Sequence, residues 1–159
     1  MINIGTAFLI RCYVRTMNGH SLLKNKQSLT ILCAIDFSES SRHALTWTIG
    51  MAEPLQAHVV ILYTFRLLQS KSGEALATKR KMEELVAHDF SLIEKELLHN
   101  HPVSYEFRTE VGFVSDRIED FLKKNNIHLI VVGKTRGDDN RETLNGLIEG
   151  IKIPIMIVP

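Results

Sequence analysis

The sequence predicts an α/β domain in three layers, with helices on both faces of a parallel sheet. Three observations carry this. The runs LTILCAI (29–35), AHVVILYTF (57–65), IHLIVVG (127–133) and IPIMIVP (153–159) are almost continuously apolar, as expected of strands covered on both faces. Segments with helical spacing of apolar residues lie between the strands. The resulting order, β-α-β-α-β-α-β-α-β, calls for parallel pairing through right-handed crossovers.

Each element has its own signals. After the first strand, Asp36-Phe37-Ser38 breaks the apolar run. Ser38 is placed to cap a helix, and Glu39 suits the positive end of its dipole. Ala44, Leu45, Trp47, Thr48, Ile49, Met51 and Ala52 then recur at helical spacing, and Pro54 is expected to stop the helix. The second strand follows at 57–65. A polar stretch with Ser70, Ser72 and Gly73 leads into a long helix over about 74–99. Its apolar stripe is Leu76, Met82, Leu85, Val86, Phe90, Ile93 and Leu97. VSYEFRTEV (103–111) alternates Val103, Tyr105, Phe107 and Thr109 with polar partners, the pattern of a half-covered strand near an edge. Gly112 turns the chain, and Val114 to Lys124 reads as a helix with Ile118, Phe121 and Leu122 inward. Residues 139–150 read as a last helix before the fifth strand.

Residues 1–28 differ from the rest. They mix a short apolar run, FLIRCYV, with polar residues and keep no sustained period, so they are expected to form a leader that is ordered in part at most; an added edge strand is the other reading. Residues 29–159 make one domain. A chain of 159 residues buries roughly 70% of its unfolded surface. Its net charge of +1 gives no electrostatic reason to expect nucleic acid or an anionic membrane as partner. No apolar run approaches the ~20 residues of a membrane span, and two cysteines, Cys12 and Cys33, make no disulfide framework. Cys33, inside a strand, reads as a buried inert thiol, and a reducing cytoplasmic setting fits.

Most catalytic motifs are missing. There is no GxxxxGK[ST] for a triphosphate, no GxGxxG after the first strand and no GxSxG elbow. None of the seven histidines forms HExxH, and no metal site is expected; His99 and His101 instead flank a helix end, where positive charge suits the dipole. Ser38, Ser40 and Ser41 cluster at a helix start, where serines cap; a nucleophile would need a base, and none is indicated. In a sheet of this kind ligands bind beyond the carboxyl ends of the strands, here marked by Asp36, Thr64, Gly112 and Gly133. Asp36 has two readings: an acceptor for ribose or base groups of a nucleotide, or a loop aspartate serving the helix that follows.

Several stretches taken together resemble the universal stress protein family. AIDFSESSRHALTWTIGMA is similar to its first strand, turn and helix, and VVILYTF to its second strand. TEVGFVSDRIEDF is similar to its Gly-containing turn, HLIVVGKTRG to the strand before its phosphate loop, and IPIMIVP to its last strand. The match spans about residues 29–159. It implies a five-stranded parallel sheet of order 3-2-1-4-5, an adenine nucleotide alpha hydrolase-like fold. It also implies a homodimer through the C-terminal strand Ile153–Pro159, a long apolar edge that would otherwise invite aggregation.

ATP-binding members of that family carry G-x2-G-x9-G-[ST], glycines that let backbone N–H groups approach the phosphates. Gly133 fits the first position and Gly146 the third. Arg136 stands where the second glycine belongs, Gly137 is one place late, and Leu147 replaces the hydroxyl residue. Arg136 brings a guanidinium but also a Cβ that restricts close approach, and Asp138 and Asp139 repel a polyphosphate. The expectation is therefore a non-catalytic dimeric interaction module for stress response, with protein partners, a degenerate nucleotide loop and no resident cofactor. The alternative is an ATP- or AMP-binding sensor. Its candidate site is Ala34, Ile35, Asp36, Thr64, Gly133, Thr135, Arg136, Gly146 and Leu147, several through main chain. A third reading, an enzyme of the wider superfamily with an SGGxDS loop, finds no such loop in AIDFSES.

Overall fold

The computed structural model describes residues 29–67, 74–134, 146 and 148–159. The expected leader over 1–28, the polar stretch before the second helix and most of the loop after the fourth strand lie outside them. Five strands, β1 (Thr30–Ile35), β2 (His58–Phe65), β3 (Ser104–Val111), β4 (Leu129–Gly133) and β5 (Ile155–Val158), form one sheet in the order β3-β2-β1-β4-β5. Every neighbouring pair is parallel. The strand order is the expected one.

The apolar runs are continuous because alternate residues serve opposite faces. Ile31, Cys33, Val59, Ile61 and Val131 pack with Ala44, Leu45, Ile49 and Ala52 of α1 (Glu39–Leu55) and with Phe90 and Ile93 of α2 (Glu74–Ile93). Leu32, Val60, Leu62, Ile130 and Val132 pack on the other face with Ile118, Phe121 and Leu122 of α3 (Val114–Lys124), together with Ile151 and Ile153. At about 1.5–3 kcal/mol for each large apolar side chain removed from water, the two layers supply the main drive to fold.

Three details depart from the sequence pattern. Helix α1 runs through Pro54 to Leu55 and ends at Gln56, whose left-handed backbone (φ 51) lets its N–H bond back to Ala52 and Glu53. A proline in the last turn deletes a single hydrogen bond, so it does not stop the helix upstream. Trp47, Leu76 and Leu85, counted in the apolar stripes, are 60%, 77% and 51% exposed. The buried stripe of α2 is Val86, Phe90 and Ile93, and Leu85 sits one position, about 100°, around from it. The end of the second helix is π-helical over Glu94–Leu98, with His99 N–H bonded to the Glu94 carbonyl five residues back. The wider turn moves the inward position by one residue, so Leu98 is buried where regular spacing pointed to Leu97.

Among the described strands β3 lies at an edge, as its alternation implied. Its Phe107 stacks on Phe90 with ring centroids 3.8 Å apart. β5 is the other edge among the described strands, and Ile157 on it is 39% exposed. Gly146 and residues 148–150 are helical, consistent with the expected last helix; residues 139–145 lie outside the described part.

Candidate functional site

The carboxyl ends of the strands meet on one side of the sheet. Strand order reverses between β1, which leads outward to β2 and β3, and β4, which leads to β5. A crevice at such a reversal is the natural ligand position in an open α/β sheet. Ala34 pairs with Leu62 on one side and Val132 on the other. That register carries Asp36 toward Thr64 and brings Gly133 to the same level. Five of the candidate residues, Ala34, Ile35, Asp36, Thr64 and Gly133, therefore do gather at one place. Thr135, Arg136 and Leu147 lie outside the described residues.

The turn after β1 is tied by its own side chains. Asp36 Oδ1 accepts from Ser38 N–H (3.0 Å) and from Ser38 Oγ (2.5 Å). Ser38 is the N-cap of α1: its Oγ accepts from Ser41 N–H at 3.3 Å, and Ser41 Oγ donates to the Ser38 carbonyl at 3.0 Å. The helix start is thus satisfied from within, by the residue the sequence marked as cap. Partial desolvation opposes ionisation of Asp36, but the Ser38 hydroxyl and N–H, with Ser41, outweigh it and hold the carboxyl below the usual aspartate range. Phe37 between them has φ 64, left-handed backbone in a bulky residue, a conformation worth about 1–2 kcal/mol of strain. Its ring lies against Tyr63, centroids 4.8 Å apart. Burial, followed by the negative charges of Asp36 and Asp89, pushes the Tyr63 hydroxyl up.

Gly133 ends β4 against the first turn of α1. A Cβ there would lie 2.5 Å from the Ser40 carbonyl oxygen and 2.8 Å from Ser41 N. Only glycine fits that contact. Gly146 is exposed, and none of the described residues comes within 4 Å of where its Cβ would stand. Gly112, at φ 141, makes the turn after β3, and its N–H bonds to the Phe65 carbonyl at 2.9 Å. Beside it, Arg66 lies over the Phe113 ring at 5.2 Å, and Arg117 holds Asp120 at 3.0 Å while its buried Nε has no hydrogen-bond partner among the described residues. Sequence reasoning missed the Arg66–Phe113 pair and the strained Phe37. Arg66 and Phe113 are far apart in the chain and meet only through the β2–β3 register, and nothing in a D-F-S turn announces a positive φ.

Chemically, this end offers an ionised acceptor and a set of backbone groups. The Ser38–Asp36 contact resembles a nucleophile with a base, yet the carboxylate is more acidic than usual and so a poor proton acceptor, and Ser38 Oγ is engaged as a cap. Cys33 is fully buried, and burial pushes its thiol up to about 12, against a weaker lowering by Thr48, which leaves it inert at neutral pH. Among the described residues there is no group of three or more His, Cys, Asp or Glu able to hold a metal, and no helix is long and apolar enough to cross a membrane.

The model of the universal stress protein family matches residues 28–159. No curated protein matches the chain by sequence. Among solved structures, the chain is similar to universal stress protein UspA from Lactobacillus plantarum: TM-score 0.70, 18% identity, 85% of this chain and 100% of that one. A universal stress protein family member from Arabidopsis thaliana, solved with AMP bound, gives 0.61 at 17% identity over 82% and 90% of the two chains. The universal stress protein from Archaeoglobus fulgidus, in complex with dAMP, gives 0.58 at 17% over 83% and 98%. At such identities these structures show a shared fold.

Proposed function

The chain belongs to the universal stress protein family, and on that premise we propose that it is a non-catalytic, dimeric stress-response module of the cytoplasm that works through protein partners and binds ATP weakly or not at all. The observation that carries this is Gly133. The first glycine of the candidate phosphate loop is spent on packing against Ser40 of α1, so its presence in the sequence needs no ligand. At the second and fourth motif positions the chain carries Arg136 and Leu147, a Cβ and a lost hydroxyl where phosphate-binding relatives have Gly and Ser or Thr. The poor basicity of Asp36 supports the absence of chemistry.

A second reading is a sensor of adenine nucleoside monophosphates. Asp36 stands at the strand-order reversal as an ionised acceptor suited to ribose hydroxyls, and two structural neighbours were solved with AMP and dAMP. A monophosphate asks less of the loop than a triphosphate does.

Calorimetric titration with ATP and with AMP, with and without Mg²⁺, tests both. The first reading expects no heat from millimolar ATP; micromolar ATP binding that weakens in Arg136→Ala overturns it. AMP binding without ATP binding selects the second. The dimer is argued from β5, whose outer edge meets no further strand among the described residues and whose Ile157 is exposed. Sedimentation of Ile155→Asp should give monomer; an unchanged dimer would place the contact elsewhere.

A further inference from the structure

All five strands run the same way, so their amino ends share the side of the sheet opposite the candidate site, and the helices end there too. The register aligns Ser104 of β3, His58 of β2 and Thr30 of β1, and His128 immediately precedes β4 beside Thr30. Two histidines thus border the row, and a third, His101, lies just before β3. Each uses Nδ1: His58 with Ser104 Oγ at 2.8 Å, His101 with Glu53 Oε2 at 3.0 Å, and His128 with the Thr30 N–H at 3.0 Å.

The His128 contact differs from the others in kind. Its partner is a backbone N–H, which can only donate, so Nδ1 must be bare and the neutral ring carries its proton on Nε2. The Asn126 amide nitrogen Nδ2 lies 3.4 Å from that Nε2, and a half-turn of the amide, which exchanges its nitrogen and oxygen, presents an acceptor to the Nε2 proton. The backbone N–H of His128 donates to the Thr30 carbonyl at 2.9 Å. His128 therefore closes the first rung between β1 and β4 from both sides, where the chain enters the sheet. An imidazole takes up its second proton in the mildly acidic range. Here that proton can go only onto Nδ1, and a protonated Nδ1 turns a donor toward a donor.

We propose that His128 is an acid-sensitive latch that holds the start of β1 through its neutral ring and releases it on protonation. The charged groups brought to this end do not cancel the effect. Glu53 is bonded to His101, Lys123 reaches back to Asp120 at 3.7 Å, and Lys124 and Lys152 are exposed cations. His58 lies one strand away and faces Ser104. No carboxylate among the described residues pairs with His128 to reward its positive form. His58 and His101 accept protonation without losing their partners, because a hydroxyl can turn to accept and a carboxylate gains from the charge. Only His128 must choose between its proton and its contact.

Amide hydrogen exchange of the full chain, read residue by residue as protection factors, tests this at about pH 7.5 and about pH 5.5, either side of the imidazole range. Protection of the Thr30 amide should fall roughly five- to tenfold in acid, the weight of one hydrogen bond. In His128→Asn, whose side-chain oxygen takes the place of Nδ1 but does not titrate, protection should stay level. Equal acid loss in that variant, or none in the wild type, overturns the proposal. Nitrogen NMR of the wild-type ring at neutral pH is independent of any variant: a proton on Nε2 is expected, and a proton on Nδ1 overturns the proposal outright.

Discussion

Two glycines frame the loop between β4 and the last helix, and their surroundings are opposite. Gly133 is pressed against the backbone of α1, where an added Cβ would stand less than 3 Å from Ser40 and Ser41. Gly146 stands open, with nothing described near it. In the sequence both score alike as motif positions. Among the described residues the first has a packing reason to be glycine and the second has none, so a ligand argument can rest on Gly146 alone. A glycine near a strand end is evidence for a bound phosphate only after the close approach of protein backbone has been excluded.

Substitution should separate the two. Gly133→Ala places a methyl group into the Ser40 carbonyl, and either β4 or the first turn of α1 must move. Overpacking of this kind costs roughly 2–3 kcal/mol. Chemical denaturation of the variant should show that loss with or without nucleotide. A variant as stable as wild type would mean the glycine is not held by packing and would return it to the phosphate loop. Gly146→Ala should act in the other direction. At a helical position with open space, alanine gains up to about 1 kcal/mol over glycine. Stability should rise, and AMP or ATP titration should be unaltered if the loop holds no phosphate. A rise in stability coupled to lost AMP binding would favour the sensor.

The same contrast explains what the sequence could disclose. The five strands and α1 to α3 were legible because burial writes a period into the chain: two-sided burial gives unbroken runs such as 57–65, and one-sided burial gives stripes such as Val86, Phe90 and Ile93. Ser38 was legible as a cap because the chemistry of a helix start is local. The exposure of Trp47 and Leu85 was not, because a stripe can be drawn wider than the sheet it covers. Neither was the π-helical turn at Glu94–Leu98, which shifts the face by a residue with no change in composition. At the site, Asp36 was found, but its bonds to Ser38 and the left-handed Phe37 beside it depend on backbone angles. The role of Gly133 depends on Ser40, more than ninety residues earlier, and no local pattern reports it.

Across the strand-order reversal from Gly133, Asp36 offers the gentlest test of how this end is held. Its carboxylate is bound from within by Ser38, and its folded pKa lies below the ordinary aspartate value. A depressed pKa contributes stability that is present above the unfolded value of about 3.9 and fades as pH falls through the lower folded one. Asp36→Asn keeps an oxygen for the turn but removes the charge that strengthens both bonds. Because Asp36 is exposed, the loss at neutral pH should stay under about 1 kcal/mol. The gap between variant and wild type should then narrow in acid, as the wild-type carboxyl takes up its proton. Urea midpoints measured near neutrality and well below about pH 4 read both effects. A gap that widens in acid would mean that desolvation, not hydrogen bonding, governs the carboxyl, and Asp36 would then be the proton-accepting group that the geometry of Ser38 otherwise lacks.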